Sequence, residues 1–329
     1  MSRLCLYYRS EPECDRWFLG DRFVRPVLRR LLRRTPSPGG VEKVFLNLCL
    51  GLDRIGQAYE VNLPFQKLRP DDRVAILGRG LKCLRGYDRP NRIVAGIGLM
   101  THPSEWPTLC DDFPVVRYLQ HSEWCDRVYR PYFGDRCRIW PVGIDTDEWR
   151  PIAGTARDTD FLIYEKLRLD LPEITRTLLD PIREELTARG VSFETIRYGS
   201  YAPEQFKASL ARSRAMIFLS SHESQGLACQ EAMASGVPVL AWDNGWVLDP
   251  ERFKWNPAQP EIPATSVPYF DHRCGLRFRD LPDFRNQLST FQHTLRADGF
   301  APRNYVLENL TLEKCARHFL SIVDEANTA

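Results

Sequence analysis

In "HESQGLACQEAMASGVPVLAWDNG", His222 to Gly245, two glutamates with seven residues between them stand on either side of a glycine: Glu223 before Gly226, Glu231 after it. A carboxylate can accept from two vicinal hydroxyls at once, as an acidic residue does on ribose in dinucleotide sites, and Glu231 suits that task. Glu223 is placed to hold a second polyol. Gly226 and Leu227 open a segment of good helix formers. The start of a helix offers unpaired N–H groups and a partial positive charge that can hold a phosphate. Glycine there lets a ligand approach the backbone closely. Taken singly, the two glutamates read as a helix cap and a solvated surface residue. Against that stands the crowding of Ala228, Ala232, Ala234, Ser235 and Gly236 around Glu231, which predicts a closely packed helix rather than a free face.

The elements that must position these residues are legible as a crossover. "AMIFLSS" is a short apolar run of the length of a buried strand, ending near Ser220. The helix follows from Leu227 to Ser235, Gly236 and Pro238 stop it, and "VPVLAW" reads as the next strand. Strand, turn, helix, strand is the βαβ unit of a parallel sheet, whose ligands bind beyond the carboxyl ends of the strands.

Upstream, "LCLYYR" begins as a strand, and the Pro/Gly loop "TPSPGG" follows an arginine-rich segment. Val41, Val44, Phe45, Leu48, Leu52 and Ile55 recur at helical spacing, predicting a helix from Gly40 to Arg54. "YEVN", "RVAIL", "RIVAGIGLM", "PVVRYL" and "CRIWPV" read as strands of an α/β domain. After "VGIDTDEWRP" a second cycle starts with "DFLIY", a helix around Pro172 to Arg189, "VSFETIRYG" and a helix around Pro203 to Arg212. Prolines between Pro250 and Tyr269 predict a long surface or cleft-edge loop. Helical patterns at Leu281 to Leu295 and Thr311 to Asn327 close the chain. The expected division is residues 1–148, residues 149–310, and a helix over 311–329 that crosses back to the first domain.

A chain of 329 residues suits two domains, and 43% hydrophobic with 27% charged residues is ordinary for a globular protein. A net charge of +2 demands no nucleic-acid partner. No apolar run approaches the roughly 20 residues of a membrane-spanning helix. "MSRLCLYYRSEPECDR" has neither the apolar core nor the cleavage site of a signal peptide. The expected location is the cytoplasm. Ten cysteines without a Cys-x-x-Cys pair predict reduced, mostly buried thiols rather than zinc ligands or a disulfide framework.

"ESQGLACQEAMASGVPVLA" resembles the signature of the family-4 retaining glycosyltransferases of the GT-B fold, two Rossmann-like domains facing each other across a cleft. "SPGGVEK", with Gly40, and "WPVGIDTDEW" are similar to that family's N-terminal glycine loop and interdomain segment, so the likeness runs in order over about residues 38 to 245. It implies that Glu231 binds the ribose of a nucleotide-sugar donor, Glu223 the donor sugar, and Gly226 with Leu227 the diphosphate. Loops near "RYGSY", with Gly199 and Ser200, would face the base. A metal-independent enzyme needs fixed cations for the leaving diphosphate, and Lys166 and Arg168 in "YEKLR" are the candidates. Two residues apart in extended chain, they point the same way; the family's usual pattern is Arg followed some five residues later by Lys. His102 in "GLMTHP" matches a family histidine that contacts the donor sugar, and His121 in "LQHSEW" is a rival one strand later. Either one alone reads equally well as structural. Asp145 in "GID" is expected to fix the interdomain turn.

The resemblance implies sugar transfer with retention, by front-face substitution without cofactor or metal, to an unidentified hydroxyl acceptor. Two other readings stay open: a nucleotide-sugar epimerase of the same fold, which needs acid/base side chains aligned on the sugar, and a noncatalytic nucleotide- or sugar-binding module. The arginine-rich segment over residues 16–34 interleaves with Trp17, Phe18, Leu19, Phe23, Leu28, Leu31 and Leu32. It reads either as a peripheral contact with the inner membrane surface or as a helix packed on the first domain with a solvated basic face.

Overall fold

The computed structural model describes residues 2–8, 39–78, 80–167, 171–255, 257 and 261–328; the segment 16–34 and Arg168 lie outside the described residues. Two parallel sheets carry the fold. The first has the order β2-β1-β3-β4-β5-β6, built from Leu4–Tyr7 (β1), Glu60–Val61 (β2), Arg73–Ile76 (β3), Ile93–Gly96 (β4), Val115–Gln120 (β5) and Cys137–Ile139 (β6). The second has the order β11-β10-β9-β7-β8, from Thr159–Lys166 (β7), Phe193–Arg197 (β8), Ser213–Ser220 (β9), Val239–Trp242 (β10) and Gly275–Phe278 (β11). Strands of a parallel sheet are covered on both faces, which is why β1, β4 and β10 are buried at every position and read as unbroken apolar runs.

The main helices are Gly40–Arg54 (α1), Glu123–Phe133 (α2), Asp180–Ala188 (α3), Pro203–Arg212 (α4), Leu227–Ala234 (α5), Leu281–Arg296 (α6), Pro302–Asn309 (α7) and Leu312–Thr328 (α8). Helix α1 buries Val44, Phe45, Leu48 and Leu52, the stripe its spacing predicts. The predicted strand at "YEVN" shrinks to the two exposed residues of β2. The proline-rich stretch after Pro250 includes one helical turn, Arg252–Trp255, and turns inward at its end, where Ala264, Ser266 and Val267 are buried. No disulfide joins the described cysteines.

Helix α8 packs on the first sheet although it follows the second in sequence. Its Phe319, Ile322 and Val323 share a core with Leu4, Val44 and Leu119, and Asp324 and Glu325 pair with Arg73, Arg117 and Arg138. The chain reaches α8 past the interdomain segment, where Ile144 N donates to Leu310 O (2.8 Å). Gly143 is required there: a Cβ would meet Leu312 Cα at 2.4 Å. Asp145 accepts from the amides of Asp147 and Glu148 and from Arg54 at 2.6 Å. It thereby ties the interdomain turn to the end of α1.

The chain segments that follow the strands of the two sheets meet. Trp124 at the start of α2 donates its indole N–H to Glu223 O (2.8 Å), the Tyr269 hydroxyl donates to His121 O, and the rings of His102 and Trp255 stack 5.1 Å apart. Leu227 packs against the cores of both halves.

Candidate active site

Parallel pairing sets Lys166, the last residue of β7, opposite Ser220, the last of β9. The chain then turns through Glu223 and enters α5 at Gly226, whose φ of +83° is a left-handed conformation that glycine adopts without strain. Lys166 Nζ donates to Glu223 Oε1 at 2.5 Å and to Oε2 at 2.7 Å. The Ser220 hydroxyl donates to Oε1 at 2.7 Å. Backbone holds this turn independently of the side chain, since Glu223 N donates to Thr265 O at 3.0 Å. With Glu223 only 9% exposed, the pair forms a half-desolvated cation and anion at the sheet edge.

Gln225 locks the same turn to the interdomain segment. Its amide nitrogen donates to Val142 O (2.7 Å) and to Gln230 Oε1 (2.9 Å), while its oxygen accepts from Val142 N (2.9 Å). The amino end of α5 is therefore held rigidly between the two halves. Arg303 of α7 clasps the other end of α5, donating to Ala234 O, Trp149 O and Thr146 O.

Glu231, one turn into α5, is 3% exposed, as the crowding of small residues predicts. It is not the solvated residue a lone glutamate suggests. Its partner comes from the other half: Lys43, in the first turn of α1, forms an ion pair with Glu231 Oε1. Burial pushes the Glu231 carboxyl above the usual range, and the Lys43 ammonium pulls it back. Lys43 also lies 5.2 Å from the centroid of the Trp149 ring, and Lys207 lies 5.1 Å from it. A groove of about 220 Å³ lined by Glu148, Trp149, Lys207 and Ser235 opens at the carboxyl end of α5, where the Ser235 hydroxyl donates to Glu231 O.

His102 is buried; its Nδ1 accepts from Ser104 N at 3.2 Å and lies 2.8 Å from the Ser104 hydroxyl. One ring nitrogen thus caps a helical turn while one ring face stacks on Trp255, and burial lowers its pKa. His121 is likewise buried, its Nδ1 3.3 Å from Trp140 O and its pKa pushed down to about 4 by desolvation. Gly40 is the first residue of α1, with open space around its Cα. Gly199, at φ +78°, and Ser200 form the turn after β8, with Ser200 N donating to Arg197 O.

The structure thus brings together Lys166, Glu223, Gly226 and Leu227, with Glu231 one turn away. Sequence reasoning did not assign Lys43, Trp124, Gln225 or Trp255. Lys43 stands inside the quoted "SPGGVEK", but nothing in its local pattern points across to the second half. The chain holds two Asp-x-Asp runs, Asp145 with Asp147 and Asp158 with Asp160. Asp145 is committed to Arg54 and its own turn, and the second run lies at the start of β7, the end remote from Lys166. Among the described residues no cluster of His, Cys, Asp or Glu has the arrangement of a metal site.

Two facing Rossmann-like halves with this crossover are the GT-B fold of glycosyltransferases. Residues 177–249, from just before α3 to just past β10, match the family described as "Glycosyl transferases group 1". Similar solved structures include the pneumococcal O-GlcNAc transferase GtfA in complex with UDP and GlcNAc, at 12% identity and TM-score 0.50, covering 79% of this chain and 58% of that one. A variant of S. aureus TarM in complex with Fondaparinux, α-GlcNAc-glycerol and UDP aligns at 11% identity and TM-score 0.53, covering 86% and 59%. An α-glucosyltransferase in complex with UDP and a 13-mer DNA containing a HMU base aligns at 11% identity and TM-score 0.54, covering 98% and 99%. At such identities the likeness is one of fold, and the alignments with GtfA and TarM span under three fifths of those chains. No curated protein matches by sequence. The chain thus has the GT-B fold of glycosyltransferases, and its residues 177–249 carry the group 1 segment.

Proposed function

We propose that the chain is a retaining glycosyltransferase of the family-4 type, moving a sugar from a nucleotide donor to a hydroxyl acceptor. The observation that carries this reading is the juxtaposition of Lys166 and Glu223 beside the amino end of α5, with the buried Glu231 one turn further on. Glu231 takes the vicinal hydroxyls of the ribose, the amides at Gly226 and Leu227 take the diphosphate, and Glu223 takes hydroxyls of the donor sugar. The turn at Gly199 and Ser200 and the start of α1 at Gly40 flank the nucleotide.

A departing nucleoside diphosphate gathers charge, and fixed cations and amides facing that charge lower the barrier without reorganising. Lys166 supplies the cation, with Arg168 two residues on, and no divalent metal is needed. Lys166 and Glu223 divide on donor binding, the ammonium turning to phosphate and the carboxylate to sugar. Among the described residues no side chain besides Glu223, which is committed to the sugar hydroxyls, stands at the sheet edge as a nucleophile for a covalent intermediate. Retention then follows from front-face substitution: the C–O bond to phosphate breaks, the acceptor oxygen enters on the same face, and the leaving phosphate takes the acceptor proton. His102, stacked on Trp255 where the two halves meet, is the candidate contact with the donor sugar near the reacting carbon. Donor binding belongs to residues 149–310 and acceptor binding to residues 1–148, with 311–329 closing back on the latter.

Each of the three solved structures named above contains UDP, so UDP-sugars come first in the test. The chain is incubated with UDP-, GDP- and ADP-sugars, with and without chelator, and release of nucleoside diphosphate is followed; product anomers are read by NMR. Chelator-resistant release from one donor class with retained configuration supports the reading. Inversion, metal dependence, epimerised donor or binding without turnover each contradicts it.

A further inference from the structure

The ion pair between Lys43 and Glu231 joins the two halves at the position assigned to the donor ribose, and the reading above leaves Lys43 without a role. Glu231 is 3% exposed, and a carboxylate buried that far requires a compensating partner. The Lys43 side chain is 29% exposed and rests between Glu231 and the Trp149 ring. The other cation against that ring, Lys207, is committed to Glu148 at 2.6 Å. Lys43 is therefore the ammonium that vicinal hydroxyls must displace from Glu231.

Where the displaced charge goes follows from the packing. Leu227, the first residue of α5, packs in the core that contains Val44, the neighbour of Lys43. Glu231 and Leu227 are four residues apart on one helix, about 6 Å along its axis. A lysine carries a point charge on a flexible four-carbon stem, whereas an arginine is held to the geometry of its fork. Gly39 and Gly40 leave open space at the start of α1. We propose that Lys43 is a donor-binding residue supplied by the N-terminal half: when ribose hydroxyls take Glu231, its ammonium moves one helical turn to the donor diphosphate at the amino end of α5. This rests on the glycosyltransferase reading. It makes the Lys43–Glu231 contact an exchange, in which the anion that leaves Lys43 is replaced by phosphate and closure of the halves is retained.

The test is calorimetric titration of the full chain with uridine and with UDP (and, if neither binds, with the guanosine and adenosine pairs), for the wild type, Lys43→Met and Lys43→Gln. The quantity read is the ratio of nucleoside to nucleoside-diphosphate dissociation constants. A charge-assisted contact to phosphate predicts that the ratio falls about tenfold to a hundredfold in both variants, with nucleoside affinity unchanged in Lys43→Gln and unchanged or higher in Lys43→Met, where no donor has to leave Glu231. A ratio within about threefold of the wild type, through equal losses on both ligands or none, makes Lys43 a structural clasp and overturns the proposal while leaving the glycosyltransferase reading intact. Lys43→Gln retains a donor for Glu231 and keeps the measurement available should Lys43→Met fail to fold. A wild type that binds no nucleoside diphosphate overturns both.

Discussion

Replacing Glu223 by alanine separates the sugar from the nucleotide. The substitution removes three hydrogen bonds, two from Lys166 at 2.5 and 2.7 Å and one from Ser220 at 2.7 Å. It leaves in place the backbone contacts to Thr265 and Trp124 that set the turn. The Lys166 side chain is 21% exposed, so its freed ammonium recovers part of its hydration. The expected loss of folding stability is therefore modest, about 1–3 kcal/mol. Nucleoside diphosphate affinity should stay within about threefold of the wild type, or rise, because Lys166 is released to phosphate. The sugar-bearing donor loses the acceptor for its hydroxyls, at about 1–3 kcal/mol per unpaired group, and should bind roughly tenfold to a hundredfold more weakly. Calorimetric titration with UDP and with the preferred UDP-sugar, alongside a thermal melt, reads all three quantities. Equal effects on both ligands, or lost stability with no change in either affinity, would return Glu223 to a capping role and refute the argument.

The other expectations concern Glu231, His121 and Glu325. Glu231→Gln should weaken uridine and UDP alike, by about tenfold, because an amide presents one acceptor where the carboxylate presents two; equal affinities for wild type and variant would place the ribose elsewhere. His121 has its pKa lowered to about 4 by burial from the usual 6.5, so the native state binds fewer protons than the unfolded state between those values. Its contribution is then complete above about pH 6.5 and lost as pH falls to about 4, and urea melts should show His121→Gln differing from wild type by about 1–3 kcal/mol less at pH 4.5 than at pH 7.5. Glu325, held by Arg138 and Arg117, has a pKa lowered to about 2 from 4.5. Its stabilisation is present above about pH 4.5 and disappears as pH falls to about 2. Because the side chain is 44% exposed, Glu325→Gln should cost only about 1 kcal/mol at pH 7, and less in high salt.

The central strands were legible because each is covered on both faces and so reads as an apolar run; β9 and β10 fall where "AMIFLSS" and "VPVLAW" put them. Helices α1 and α4 begin and end at the predicted residues because glycine, proline and the amphipathic stripe all agree there. Helix α2 was missed: Pro131 lies inside it and only Cys125, Asp126, Tyr129 and Phe133 are buried, so its apolar seam is narrow. Strand β11 and helix α7 were missed for the same want of a continuous pattern, the first with an exposed Arg277 and the second with buried Pro302 and Val306 alone. At the site, the spacing of Glu223, Gly226 and Glu231 announced the turn and helix, and the small residues announced that Glu231 is buried. The partners of both glutamates were not legible, since Lys43 and Lys166 reach them from distant parts of the chain. Local periodicity carries no information on such pairs.

The proposed function requires that the amino end of α5, with Glu223 and Glu231, bind a nucleoside diphosphate and its sugar. Thermal unfolding of the wild type against a panel of nucleosides, nucleoside diphosphates and nucleotide sugars tests it most directly, because a ligand that binds the native state alone raises its stability by RT ln(1 + [L]/Kd), about 2.7 kcal/mol at a hundredfold excess over Kd. The expected result is a concentration-dependent rise in Tm for one base, with the diphosphate well above its nucleoside and the rise reduced in Glu231→Gln. No shift with any nucleotide, or a shift indifferent to Glu231, would contradict it.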